Sequence, residues 1–194
     1  MLYVIMGKSS SGKDTIYRKL MEDNELKLNK IITYTTRPAR AGEVEGNEYH
    51  FVDEAKMNEM DRNGKIIEKR AYDTVYGVWN YFTADDENVK IDRNNYMVIG
   101  TLDSYEQLRA YYGEKKVMPI YIEVEDGERL ARALEREREQ DEPKYSEMCR
   151  RYLADEKDFN AERLEKLGIK RKYFNNDIQQ CMSQIKEQIL MTSD

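Results

Sequence analysis

Residues 2–6, Leu-Tyr-Val-Ile-Met, form an unbroken apolar run that stops at Gly7, the pattern of a strand buried on both faces. A helical pattern follows over about 13–22, and the apolar residues at 31–34 predict a second strand. Pro38, Gly42 and Gly46 make 37–47 a loop. Residues 48–52 alternate as a short strand, and Asp53 is placed to cap a helix that stops at Gly64. With further short strands at 66–72 and 78–82, the middle of the chain reads as a small mixed or antiparallel sheet carrying one helix. Strand patterns return at 96–99 and 119–124, each followed by a helical pattern, beginning near Asp103 and Asp126. The charged run at 128–140 is helical, Asp141-Glu142-Pro143 breaks it, and one long helix is predicted over about 144–166. Tyr173-Phe174 predicts a last short strand, and Asn176 or Asp177 a cap for a helix running to Leu190.

Strands alternating with helices predict an α/β fold built on a doubly wound parallel sheet. At 194 residues the chain suits one such domain with a substantial core. Charged residues make up 36% of it, but they fall at helical spacing between apolar segments, which predicts long solvated helices rather than disorder.

The net charge of −6 argues against broad binding of nucleic acid or anionic membrane, since both rest on a summed positive field. Cys149 and Cys181 have neither CxxC spacing nor a His cluster, so no zinc site or disulfide framework is implied and reduced thiols in a cytoplasm fit best. The apolar run at 2–6 is too short for a signal sequence or a membrane span, and the chain reads as soluble and unprocessed.

Gly7-Lys8-Ser9-Ser10-Ser11-Gly12-Lys13-Asp14-Thr15 places two glycines five apart, then a lysine, between a buried strand and a helix start. Such a loop wraps phosphates with backbone N–H groups, while the helix N-terminus and Lys13 add positive potential. A plain Ser/Gly turn would need neither the lysine nor its spacing, so the segment predicts ATP binding. Asp14 stands where the motif has a magnesium-binding hydroxyl, and Thr15 follows it. The order Gly-Lys-x-Thr resembles the adenylate kinase variant of this loop and makes Thr15 the candidate Mg2+ residue.

Thr33-Tyr34-Thr35-Thr36-Arg37-Pro38-Ala39-Arg40-Ala41-Gly42-Glu43, continuing to Gly46-Asn47-Glu48-Tyr49-His50-Phe51-Val52, closely resembles the signature of guanylate kinases. Two arginines three apart suit a bidentate clamp on one phosphate. Ile66-Ile67-Glu68 and Val75-Tyr76-Gly77 are similar to the family's other guanine-site segments. By that resemblance the fold is of the P-loop NTPase type, Arg37, Arg40, Tyr49 and Tyr76 hold the GMP phosphate, and Glu43 orders the loop. Glu68 accepts from the guanine N1 and N2 hydrogens, and Thr33 takes the family's serine position near the base. Two positions depart from the family: Val78 replaces a serine that contacts the guanine carbonyl, and Gly100-Thr101-Leu102-Asp103 replaces an acidic pair.

Arg132, Arg136 and Arg138 share one charged helix, with Arg150 and Arg151 beyond Pro143. Most of these suit Glu–Arg pairs on a solvated face. The resemblance implies lid arginines here, nearest Arg138 and Arg151, with Arg136 and Arg150 as substitutes. Tyr173-Phe174-Asn175-Asn176-Asp177 is similar to the family's Asn-Asp segment near the ATP adenine, which makes Asn175 an ATP contact. His50 and Trp79 read as structural.

The implied protein is a single kinase domain, with a core at about 1–32, 96–125 and 168–194, an NMP-binding insertion at about 33–90 and a lid at about 126–155. It would be a monomer or homodimer acting on ATP and GMP. The alternatives are a kinase of another (deoxy)nucleoside monophosphate and a non-catalytic guanylate-kinase-like protein-binding module.

Overall fold

The computed structural model describes residues 1–40, 42–74, 77–85 and 89–192. In chain order its elements are β1 (Leu2–Met6), α1 (Lys13–Met21), β2 (Leu28–Lys30), β3 (Tyr34–Thr35), β4 (His50–Phe51), α2 (Glu54–Arg62), β5 (Ile66–Thr74) and β6 (Gly77–Ala84). They continue as β7 (Asn95–Ile99), α3 (Leu102–Tyr112), β8 (Val117–Glu123), α4 (Asp126–Arg138), α5 (Tyr145–Asp158), α6 (Ala161–Lys166), β9 (Lys172–Phe174) and α7 (Ile178–Thr192).

The apolar run of β1 is solvent-free at every residue because β7 and β8 flank it in parallel and helices cover both faces. Alternate side chains leave a strand on opposite faces. Leu2, Val4 and Met6 accordingly join Leu102, Tyr105 and Leu108 of α3 on one side. Tyr3 and Ile5 join Ile16 and Leu20 of α1 and Ile185 and Ile189 of α7 on the other. The parallel sheet runs β2-β7-β1-β8-β9, the doubly wound α/β arrangement the sequence predicts.

The predicted strand at 31–34 is replaced by two shorter ones in different sheets: β2 joins the parallel sheet and β3 a second sheet of order β4-β3-β6-β5. The chain crosses between them at Ile31, whose side chain is buried in the main core, so its hydrophobicity reflects packing there rather than a strand interior. The second sheet is mixed, with β3 parallel to β4 and antiparallel to β6. As predicted, Asp53 caps α2, accepting from the Lys56 N–H at 2.7 Å. Gly64 follows the helix with φ of 64°.

The long helix predicted over 144–166 is two helices. Phe159 turns inward at the break, 8% exposed and stacked on Tyr121 with ring centroids 5.7 Å apart. Asn160 then caps α6 by accepting from the Arg163 N–H at 2.9 Å. At the C-terminus Asp177, rather than Asn176, accepts from the Gln180 N–H at 2.9 Å. Cys181 is buried on α7, its thiol pushed up to about 11 by desolvation, and Cys149 is exposed on α5. Among the described residues no helix is long and apolar enough to cross a membrane.

Because Phe159 carries the packing at the break, Phe159→Ala should lower the unfolding free energy by about 3–5 kcal/mol. Asn160→Ala, which removes only a cap, should lower it by about 1 kcal/mol. Urea denaturation of the two variants checks the ranking.

Candidate active site

The end of β1 delivers the chain directly into the loop at 7–12, and two glycines there are structural necessities. A Cβ on Gly7 would lie 2.6 Å from the Ile122 carbonyl oxygen and 2.7 Å from Ser11 Oγ. Gly12 has φ of 83° and no room for a side chain, since a Cβ would meet Asn175 Nδ2 at 2.4 Å. Asn175, the predicted adenine-side contact, donates from Nδ2 to the Ser11 carbonyl at 2.8 Å and so shapes the loop. Its own carbonyl accepts from Arg132 at 3.1 Å.

Lys13 begins α1 with its side chain 18% exposed, and Asp14 Oδ2 is 3.8 Å from its Nζ. Thr15 follows on the first turn. The hydroxyls of Ser10 and Ser11 are buried and find no partner among the described residues, an arrangement that suits anionic oxygens arriving in the loop.

The other side of the loop is tied to α4 and α5. Lys8 Nζ donates to Glu156 at 2.7 Å and to Asp126 at 3.4 Å, and the Ser9 N–H donates to Asp155 Oδ2 at 2.7 Å. Arg129, 1% exposed, pairs with Asp126 at 3.3 Å, with Asp155 at 3.6 Å and with Glu156, and lies 3.9 Å over the Tyr152 ring. Sequence reasoning missed Arg129, Asp155 and Glu156, whose spacing is that of an ordinary charged helix face.

On the acceptor side, Arg37 is 3% exposed and spends four of its five N–H groups on its own loop and on Tyr81. Its guanidinium makes a bidentate pair with Glu43 at 2.9 Å, and donates to the Pro38 carbonyl at 2.7 Å and to Tyr81 Oη at 3.1 Å. Hydrogen bonds from Arg37 and from the Arg40 N–H hold the Glu43 carboxyl below the usual carboxylate range. Arg40 itself projects from the exposed part of the loop. Tyr49 packs edge-on to Tyr81, 5.6 Å between centroids, and burial raises its phenol above the ordinary value.

Glu68 is 1% exposed on β5, next to a register shift between Ile66 and Glu68. Its Oε1 accepts from Thr83 Oγ1 at 2.8 Å and from Arg70 Nη2 at 3.2 Å, and its Oε2 from Arg70 Nε at 3.1 Å. Thr33 lines a cavity of about 260 Å³ together with Asp14, Tyr49, Arg70 and Tyr81. Tyr76 lies outside the described residues. His50 Nδ1 hydrogen-bonds Glu45 at 2.7 Å, and its ring sits 4.6 Å from the Tyr34 ring.

A larger cavity, about 680 Å³, joins the two sides: Gly7, Ser9 and Lys13 line it with Arg70, Thr101, Arg150 and Arg151. Arg151 reaches to 3.5 Å from Ser9 Oγ. Arg136 shares a further cavity with Ser9, Ser10 and Arg151, whereas Arg138 is exposed at the end of α4 and lines none of these spaces. The i,i+2 offset puts Arg138 well around the helix from Arg136. Asp103, the carboxylate kept near the end of β7, pairs with Arg163. The arrangement brings the glycine loop, a lysine and several arginines around one space, a set of donors that suits phosphate oxygens.

A family model described as guanylate kinase matches residues 1–190. A curated relative named guanylate kinase, from Syntrophomonas wolfei subsp. wolfei, is 44% identical over 77 residues. That match covers 39% of this chain and 39% of the relative, well under two thirds of its length. A guanylate kinase of Nitrosomonas europaea is 31% identical over 147 residues, 75% of this chain and 70% of that relative. The crystal structure of a guanylate kinase from Anaplasma phagocytophilum shares the fold with a TM-score of 0.65 at 21% identity, over 98% of this chain and 85% of that one.

Gly12→Ala combines a positive φ with a close contact, and should weaken ATP binding by about tenfold or more. Asn175→Ala removes one hydrogen bond to the loop and should have a smaller effect of the same sign. Titration with a fluorescent ATP analogue measures both, and wild-type affinity in Gly12→Ala contradicts the geometry.

Proposed function

The chain belongs to the guanylate kinase family, and on that premise we propose that it is an ATP-dependent nucleoside monophosphate kinase. It transfers the γ-phosphoryl group of ATP to GMP or dGMP, giving ADP and the nucleoside diphosphate. The observation that carries this reading is the shared cavity in which Lys13 of the loop faces Arg70, Arg150 and Arg151. An intact loop of this kind argues against a non-catalytic binding module.

In this reading the segments at about 1–32, 96–125 and 168–194 form the core that holds ATP, 33–90 binds the acceptor and 126–155 closes over both. Arg40, Tyr49 and Tyr76 bind the acceptor phosphate. Arg37 joins them by sharing its guanidinium with Glu43, which keeps it oriented. Lys13 and Arg151 neutralise the transferring oxygens, and Arg136 takes the part expected of Arg138. Closure excludes water, so that ATP is not hydrolysed in place of transfer.

ATP brings Mg2+ with it, and that ion supplies charge neutralisation at the transferring phosphates. The donor set fits a hard cation shared with phosphate, because Thr15 offers a hydroxyl on the first turn of α1 and Asp14 a carboxylate beside it. The cytoplasm is the place of the reaction, with a monomer or homodimer as the working form. A net charge of −6 leaves no nucleic-acid or membrane partner in this reading.

The test is ADP release with ATP, Mg2+ and GMP, dGMP, AMP, CMP or dTMP as acceptor. Turnover with none of them sinks the proposal. Arg40→Ala should raise the acceptor KM by about tenfold to a hundredfold and leave the KM for ATP within about twofold of wild type.

A further inference from the structure

α5 carries Arg150 and Arg151 into the shared cavity, yet none of its own residues is buried. Apolar packing therefore does not decide where these arginines stand. The polar contacts of the following turn do. Asp155 lies one turn after Arg151 on the same face of the helix and accepts from the Ser9 N–H at 2.7 Å, while Arg151 is 3.5 Å from Ser9 Oγ. Glu156 beside it accepts from Lys8 Nζ at 2.7 Å. Both carboxylates meet Arg129, which reaches them from α4 with 1% exposure.

We propose that Arg129 is a positioning residue for phosphoryl transfer: by holding Asp155 and Glu156 against the phosphate loop, it sets the place of Arg151 beside the transferring phosphate. This inference rests on the kinase reading, in which Arg151 neutralises the transferring oxygens. The Arg129 guanidinium serves three carboxylates at once. Its Nη2 is 3.3 Å from Asp126 and also meets Glu156, its Nη1 is 3.6 Å from Asp155, and its central carbon is 3.9 Å from the centroid of the Tyr152 ring. A planar fork with five donors and a stacking face suits that task, whereas an ammonium group lacks both the plane and the fork.

Charge balance gives the arrangement its direction. Asp126, Asp155 and Glu156 are matched by Arg129 and Lys8. Without Arg129 the three carboxylates face a single lysine, beside the loop that receives the anionic oxygens of ATP. Their repulsion of one another and of the triphosphate then moves α5 off the loop, and Arg151 moves with it. A displacement of about 1 Å at a group that meets the reacting phosphate costs about a hundredfold in rate. The acceptor side stays as it was, because Arg37 and Tyr49 are held by Glu43 and Tyr81 rather than by α4 or α5.

The experiment is a double-mutant cycle on kcat between Arg129→Met and Arg151→Ala, with saturating ATP and Mg2+ and the acceptor that wild type turns over fastest. Arg129→Met should lower kcat by about thirtyfold or more and leave the acceptor KM within about threefold of wild type. Arg151→Ala should cost about a hundredfold or more in the wild-type background. In the Arg129→Met background it should cost less than about fivefold further, because its guanidinium is already out of place. Additive losses, or wild-type kcat in a folded Arg129→Met, overturn this inference and leave the kinase reading standing. An acceptor KM that worsens as much as kcat overturns it too, since that marks a general loosening of the fold. Wild type that turns over no acceptor removes both. Asp155→Asn with Glu156→Gln loosens the same tether from α5 and leaves amide oxygens for the guanidinium. The cycle of that pair with Arg151→Ala should be equally non-additive, so misfolding of Arg129→Met does not protect the proposal.

Discussion

Arg129 carries a permanent positive charge with 1% solvent exposure, and a buried charge is tolerated only where partners surround it. Its partners are Asp126 from its own helix and Asp155 and Glu156 from α5. Those carboxylates are bifunctional: Asp155 also accepts from the Ser9 N–H, and Glu156 from Lys8 Nζ. One guanidinium thereby fixes the packing of α4 on α5 and, through both carboxylates, the near side of the phosphate loop. The opposite side is fixed by Asn175, so the loop is held between two polar clamps with the Ser10 and Ser11 hydroxyls left for a ligand.

A second buried ionic arrangement organises the acceptor side by the same physics. Glu43 holds Arg37 in a bidentate pair while accepting from the Arg40 N–H, and Glu68 holds Arg70 while accepting from Thr83. In each pair the arginine is pre-oriented by a carboxylate that gives up its own hydrogen-bonding capacity to do so. Restricting a long side chain in advance lowers the entropy lost when a ligand is taken up.

Features set by local chemistry were legible in the chain. The apolar run at 2–6, the glycine spacing from Gly7 to Gly12 and the Asp53 cap each follow from residues within a few positions of one another, and each stands where the pattern puts it. What escaped depended on distant partners. Phe159 looks like a mid-helix residue until Tyr121 is beside it, and the Glu and Arg residues of α4 and α5 look solvated until Arg129 is seen to face inward. Glu68 is legible as a site residue from its segment, whereas its i,i+2 partner Arg70 reads as an ordinary charged residue on the exposed face of a short strand. Residue identity alone does not reveal which lone pairs are taken, and at Glu68 Thr83 and Arg70 take three of them.

The bond from Asn175 to the Ser11 carbonyl spans 164 positions of sequence. Gly12 and Asn175 fit against each other so closely that a Cβ on Gly12 would lie 2.4 Å from Asn175 Nδ2. Contacts of such separation carry a large loop-closure entropy, which must be met before they stabilise anything. A chain made from its N-terminus therefore has its first strand and its loop sequence long before it has the residue that braces the loop. The loop reaches the geometry described here only with β9 paired to β8 at the sheet edge, so its shape depends on the last strand of the fold.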